Sequence, residues 1–334
     1  MHSKSKLALR QQNIEKIVKV KEFNMSKAIF LGTTSEITNP RDPFVFYHDG
    51  YFYHLFSRTG GIWIKKAEKL EDLAQTSPVH IYKTDTFKEI WAPELHIIDN
   101  KCYIYVAMDD GDNFNHRMYV LTNDSNDPLN EFHLLSKLET NPDRWAIDGS
   151  ILKYNGKLYF IWSGWDGFEN VAQNIYIQEM KNPYETVGER VKISSPEYEW
   201  EKLGCEGKNN RPFINEGPYA IYGKDHIHIV YSGSGSWSND YCLGLLTFNG
   251  GDILDPKNWK KKDSPILSRT PTALGPGHAS FFDDPINKKL YVTYHVFNKD
   301  CTKGWNDTHA IIQEYKMVDD YPVLEKAVNY FLDK

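Results

Sequence analysis

Apolar and polar residues alternate in five matching stretches of this chain, and each stretch is broken by a turn. The clearest copy, "DGSILKYNGKLYFIWSG", begins at Asp148 and reads as two strands joined at Asn155-Gly156. The others are "DPFVFYHDGYFYHLFSR" from Asp42, "APELHIIDNKCYIYVAM" from Ala92, "EGPYAIYGKDHIHIVYSG" from Glu216 and "HASFFDDPINKKLYVTYH" from His278. Aligned on their first residues, the turns Asp49-Gly50, Asp99-Asn100, Asn155-Gly156 and Gly223-Lys224 coincide, while the fifth copy turns over residues 283–288. Asp-Gly and Asn-Gly tolerate the positive φ of a type I′ turn, so the pattern predicts five hairpins. A third strand-like run follows each, as in "GIWIKKAEKL", "HRMYVLTND", "QNIYIQEMKNPY", "DYCLGLLTFN" and "THAIIQEYKM". Short fourth strands such as "HLLSK" and "RVKIS" come next. The copies start 50 to 68 residues apart. That spacing fits one four-stranded antiparallel blade each, and the fold expected is an all-β, five-bladed β-propeller.

In a propeller the innermost strands run beside a common axis. Equivalent first residues, Asp42, Ala92, Asp148, Glu216 and His278, are therefore expected to meet at one end of it. Taken singly, each acidic residue reads as a turn cap at the start of a strand. Three carboxyls at one repeated position point jointly to chemistry.

Outside the repeat, residues 1–24 are basic and apolar at helical spacing, which reads as an N-terminal extension, helical or disordered, ahead of a catalytic domain over 25–334. The stretch lacks the apolar core and cleavage site of a signal peptide. The four cysteines, Cys102, Cys205, Cys242 and Cys301, are scattered without a framework spacing. Together these predict a cytoplasmic setting. The net charge of -6 argues against nucleic-acid binding, and no apolar run is long enough for a membrane helix. Aromatic content is high, at 21 Tyr, 17 Phe and 9 Trp, which supplies stacking surfaces for a ring-shaped ligand.

Two carboxyls flanking a sugar linkage are the minimum apparatus for glycoside hydrolysis, and a third nearby helps to keep the acid protonated. The motifs "RDPFVFYHDGYFY", "WAPELH", "AIDGSILKYNGKLYFIWSG", "NEGPYAIY" and "GPGHASFF" resemble glycoside hydrolase family 43, the five-bladed propeller arabinofuranosidases, xylosidases and arabinanases. The resemblance spans about residues 30–318. It implies an inverting mechanism with Asp42 as general base, Glu216 as general acid and Asp148 tuning and orienting the acid. Exo-acting release of terminal L-arabinofuranose from oligosaccharides is the activity expected. A β-D-xylosidase is the alternative, and a non-catalytic carbohydrate-binding propeller a second. The resemblance also implies a water-coordinated calcium or sodium ion at the axis beside His278, although no cofactor is required for the chemistry.

Around the carboxyls, Trp91 is expected to wall the pocket, Ala92 to leave room for a sugar ring, Trp165 to act as a sugar platform and His278 to contact substrate. The "DDGDN" run at Asp109–Asn113 reads as a solvated turn, and His226 with His228 as packing rather than a metal pair. The "SGSGS" loop, Ser232–Ser236, is placed near the pocket mouth. Family members often carry a sugar-contacting arginine in the last blade. Here "NDTHAIIQEY" has none, leaving Thr308 or His309 in its place.

Overall fold

The type I′ turns form as their sequences require. Both central residues have positive φ at Asp49 and Gly50 (46° and 87°), Asp99 and Asn100 (49° and 60°), and Asn155 and Gly156 (48° and 75°). A computed structural model describes residues 28–33, 41–58 and 60–333 of the protein. The expected extension over 1–24 lies outside the described residues.

Five antiparallel sheets follow one another along the chain. The first blade pairs Phe44–His48, Tyr51–Arg58, Gly61–Ala67 and Val79–Lys83 in that order. The second pairs Glu89–Ile98, Lys101–Asp109, Arg117–Thr122 and His133–Lys137. Ala146–Tyr154, Lys157–Gly164, Asn174–Asn182 and Glu185–Ser194 form the third. Asn215–Tyr222, Ile227–Gly233, Cys242–Phe248 and Trp259–Lys261 form the fourth.

The fifth blade is assembled from both ends of the described chain. Leu274–Asp284, Lys289–Phe297 and Thr308–Val318 are consecutive, and the outer edge of Thr308–Val318 is shared by two short strands. Ile29–Thr33 pairs with its first half, and Tyr321–Leu324 with its second. An early strand thus completes the last blade and closes the ring, which removes the open sheet edges a linear array would carry.

Every strand with one face toward each neighbour must bury both, and the core accordingly divides into five apolar clusters, one between each adjacent pair of blades. Trp162, Phe160 and Tyr105 fill the interface of blades two and three; Leu31, Val45 and Ile312 fill that of blades five and one. Among the described residues no helix is long and apolar enough to cross a membrane.

Candidate active site

The innermost strand of four blades carries the same irregularity. In the third, Ile147 pairs with Ser163 and Ser150 with Ile161, so Asp148 and Gly149 together face one partner residue. Ala92 with Pro93, Gly217 with Pro218, and His278 with Ala279 do likewise in the second, fourth and fifth. Such a bulge bends the strand and re-aims its side chains. Its first residue is left-handed in each case, with φ of 44° at Ala92, 56° at Asp148, 56° at Gly217 and 47° at His278. Asp42, just ahead of the first blade, matches them at 50°. Non-glycine residues adopt this conformation at a cost, and their clustering here marks a functional site.

This corrects one element of the repeat alignment. Gly217, not Glu216, occupies the position shared by Asp42, Ala92, Asp148 and His278; Glu216 stands one residue earlier, level with Trp91 and Ile147. Blade four has one residue fewer between bulge and turn, and its turn holds four residues, because Tyr222 pairs with Ile227. Both positions nevertheless face the axis. Asp148 and His278 from the bulges and Asp42 from the matching position ahead of blade one, with Arg41, Trp91, Ile147 and Glu216 from the preceding position, line one cavity of about 440 Å³.

The three carboxyls differ in surroundings. Asp42 is the most open, with its side chain 24% exposed. Its Oδ1 lies 3.1 Å from His278 Nδ1 and 3.8 Å from Nδ1 of the fully buried His295. The Asp42 backbone N–H also points at His295 Nδ1, at 3.4 Å. Burial and the nearby Arg41 charge hold His295 well below its usual range, so it faces Asp42 as a neutral ring.

Asp148 is buried and its Oδ2 accepts the Gly217 N–H at 3.0 Å. Burial pushes this carboxyl well up, the negative charges of Glu216 and Asp42 push it further, and the Gly217 bond partly offsets them. Glu216, also buried, accepts the Tyr241 hydroxyl at 2.8 Å. Burial raises it to about 7; the Tyr241 bond and Arg41 oppose that rise, and Asp42 adds to it. A raised acid and a more open carboxylate therefore face the same cavity, the division of labour that acid–base hydrolysis needs.

Behind Glu216 lies a buried polar support. Glu201 accepts from Asn215 Nδ2 and Lys261 Nζ at 2.8 Å and from the Tyr231 hydroxyl at 2.9 Å. Its other oxygen takes the backbone N–H groups of Glu197 and Tyr198. Every partner of this buried ion pair is satisfied, which fixes Asn215 and the strand carrying Glu216.

Trp91 lines the cavity and leans on His116 at 4.0 Å between ring centroids, with His116 Nδ1 2.6 Å from Asp109 Oδ2. Ala92 is buried behind this wall rather than forming part of it. Trp165 does not form a platform: it is 1% exposed and stacks 4.7 Å behind Trp145, the ring that does line the cavity. The residue after the strand lies one layer too deep. Thr308 and His309 are buried away from the cavity, His309 bonding Asn298 and the Tyr330 N–H. The arginine at the site is instead Arg41, whose signal was its place beside Asp42 in "RDPF".

The remaining polar features resolve as structure. The carboxylates of Asp109, Asp110 and Asp112 accept from their own loop, at Gly111 N, Asp112 N and Phe114 N. His226 pairs with Asp320, and His228 with Thr247 and the Asp320 carbonyl. Ser236 reaches the cavity mouth. Among the described residues no three His, Cys, Asp or Glu side chains converge to hold a metal ion. His278 offers a calcium one nitrogen, already facing Asp42, where roughly six to eight oxygens are needed. These residues do not by themselves fit an ion.

The family model for glycosyl hydrolases family 43 matches residues 37–322. The chain belongs to glycosyl hydrolases family 43. It is 29% identical over 269 residues to a Streptomyces chartreusis protein named extracellular exo-α-(1→5)-L-arabinofuranosidase, covering 76% of this chain and 79% of that one. A Streptomyces avermitilis protein of the same name is 31% identical over 280 residues, 78% of this chain and 56% of its own length. The crystal structure of an α-L-arabinofuranosidase from Lactobacillus brevis superposes with a TM-score of 0.81 at 30% identity, covering 90% of this chain and 98% of that one.

These relatives also overturn the cytoplasmic expectation, because both Streptomyces proteins are named extracellular. The cysteines were a poor guide for a physical reason. Burial pushes the thiols of Cys102, Cys205 and Cys242 up to about 12, so little oxidisable thiolate forms at these three and their being unpaired does not mark a reducing compartment.

Proposed function

We propose that this family 43 glycoside hydrolase is an exo-acting α-L-arabinofuranosidase that inverts configuration at the anomeric carbon. The observation that carries the chemistry is the pairing of an open Asp42 with a buried Glu216 held up to about 7, in one cavity. Asp42 takes a proton from water, and the water oxygen attacks the anomeric carbon. Glu216 gives its proton to the departing oxygen on the opposite face, and the glycosidic bond breaks. One proton is taken and one delivered, so the pair is restored by exchange with solvent. Inverting enzymes separate base and acid by roughly 6.5–9.5 Å to admit that water.

Asp148 acts on the acid through the backbone. Its bond to the Gly217 N–H fixes the residue next to Glu216, and repulsion between the two carboxylates resists ionisation of both. Support for arabinose comes from the names of the relatives.

The test combines substrate and stereochemistry. The p-nitrophenyl α-L-arabinofuranoside is expected to be hydrolysed in preference to the β-D-xyloside, and NMR of arabino-oligosaccharide digests to show the inverted anomer first. Glu216→Gln is expected to lower kcat on oligosaccharides by about 10²–10⁴-fold. Its loss on the aryl glycoside is expected to be smaller, since that leaving group needs less protonation. Preference for the xyloside, a retained anomer or unchanged turnover would each sink the reading.

A further inference from the structure

Beside the catalytic cavity runs a second, smaller groove of about 260 Å³, and the two share Asn170 and Asn209 in their walls. The groove is apolar where the cavity is polar. Phe168 is 73% exposed, Val171 47% and Phe114 44%, an unusual concentration of bare apolar surface at a pocket rim.

These rings are held in place. The Arg144 guanidinium lies 4.1 Å from the Phe168 ring centroid and covers one face. Phe114 stands edge-on to Trp165 at 5.3 Å and 77°. Trp165 in turn stacks on Trp145 in the cavity wall, so a chain of ring contacts runs from cavity to groove. The Asp112 carboxylate caps the Phe114 N–H, fixing the loop.

Two loops contribute the same pair of surfaces. Asn113 lines the cavity and Phe114 the groove; Asn170 lines both and Val171 the groove. The Asn170 Nδ2 is spent on the Asn209 carbonyl at 2.7 Å. The Oδ1 atom of Asn170, which lines both spaces, is buried and has no hydrogen-bond partner among the described residues. A buried acceptor without a donor is costly, and an incoming hydroxyl would relieve that cost. An amide acceptor beside apolar ring faces matches a sugar, whose hydroxyls lie at its edge and whose C–H groups form its faces.

We propose that the Phe114–Phe168–Val171 groove is a distal subsite for the oligosaccharide, holding the second sugar of the leaving chain beyond the cleaved bond. This deepens the arabinofuranosidase reading and rests on it: the groove would make the enzyme favour chains of three or more units over disaccharides.

The test is kcat/KM for wild type, Phe168→Ala and Phe168→Tyr on p-nitrophenyl α-L-arabinofuranoside and on arabino-oligosaccharides of two, three and four units. Phe168→Ala is expected to lose about tenfold on the tri- and tetrasaccharides, mainly through KM, and under about twofold on the disaccharide and aryl glycoside. Phe168→Tyr is expected to restore the longer substrates. An equal loss on all substrates, or no loss on any, would overturn the subsite. A wild-type enzyme inert toward the aryl arabinofuranoside would instead overturn the activity on which it rests. Because Phe168 is largely exposed, the variants test binding rather than folding.

Discussion

A carboxyl serves as an acid near neutrality only when something resists its ionisation, and at Glu216 that is chiefly burial. The same fact makes the residue a liability to the fold. Its pKa in the folded state, about 7, lies above the 4.5 of an unperturbed glutamate. Between those values the folded protein binds more protons than the unfolded chain, so stability falls as pH rises through that window. Glu216→Gln removes the titration. Near pH 4 the variant should match wild type, and at pH 8 it should be more stable by on the order of 1–3 kcal/mol. Thermal melts across that range check this; a constant offset would mean that Glu216 ionises freely in the fold. Activity should fall on the alkaline side near pH 7 as the proton to be donated is lost. At this scale Asp42 and Asp148 were legible, because each opens its hairpin copy at the position where the backbone turns left-handed. Trp145 was not, because whether a ring faces a cavity or the layer behind it depends on packing between loops, to which Trp145 and Trp165 contribute alike.

Hairpins were readable because their turns are local: Asp49-Gly50 and Asn155-Gly156 demand a backbone that few other pairs accept. The bulges were not, since a bulge is a count across two strands. At Glu216 the miscount by one residue followed directly, as the turn of blade four is longer and its strand shorter. The two kinds of glycine separate these roles. Gly156 sits in a turn at φ 75° with nothing within 4 Å of an added Cβ. Gly217 sits in a bulge at φ 56°, where a Cβ would come 3.3 Å from the His278 ring. Either change to alanine should cost about 1–2 kcal/mol for the left-handed backbone. Gly156→Ala should leave kcat unchanged. Gly217→Ala should lower it by on the order of 10–10²-fold, since it shifts both the Asp148 contact and the neighbour of the acid. Chemical denaturation paired with steady-state kinetics separates the two. Equal kinetic effects would show that the bulge does not aim the acid.

Closure of the ring is the feature least visible in the sequence, because Ile29–Thr33 and Thr308–Val318 are joined by no repeat and lie at opposite ends of the described chain. Among the described residues it is also the interface with the fewest buried apolar side chains. The cluster between blades five and one holds ten buried apolar residues among those described, against thirteen to sixteen at the other four interfaces. Apolar burial is the main favourable term in joining blades, so this interface is the first expected to part. Leu31, fully buried there on the closing strand, contacts the seam from the N-terminal side. Leu31→Ala should cost about 2–5 kcal/mol. Its signature should be regional: in hydrogen exchange, amides of Phe44–His48 and Thr308–Val318 should lose protection before those of Ala146–Tyr154 and Lys157–Gly164, which face the fuller interface of blades two and three. The active site spans all five blades, so partial opening at this seam should also abolish activity before global unfolding. Exchange that accelerates equally in every blade would show instead that the propeller opens only as a whole, with Leu31 contributing to a single cooperative core.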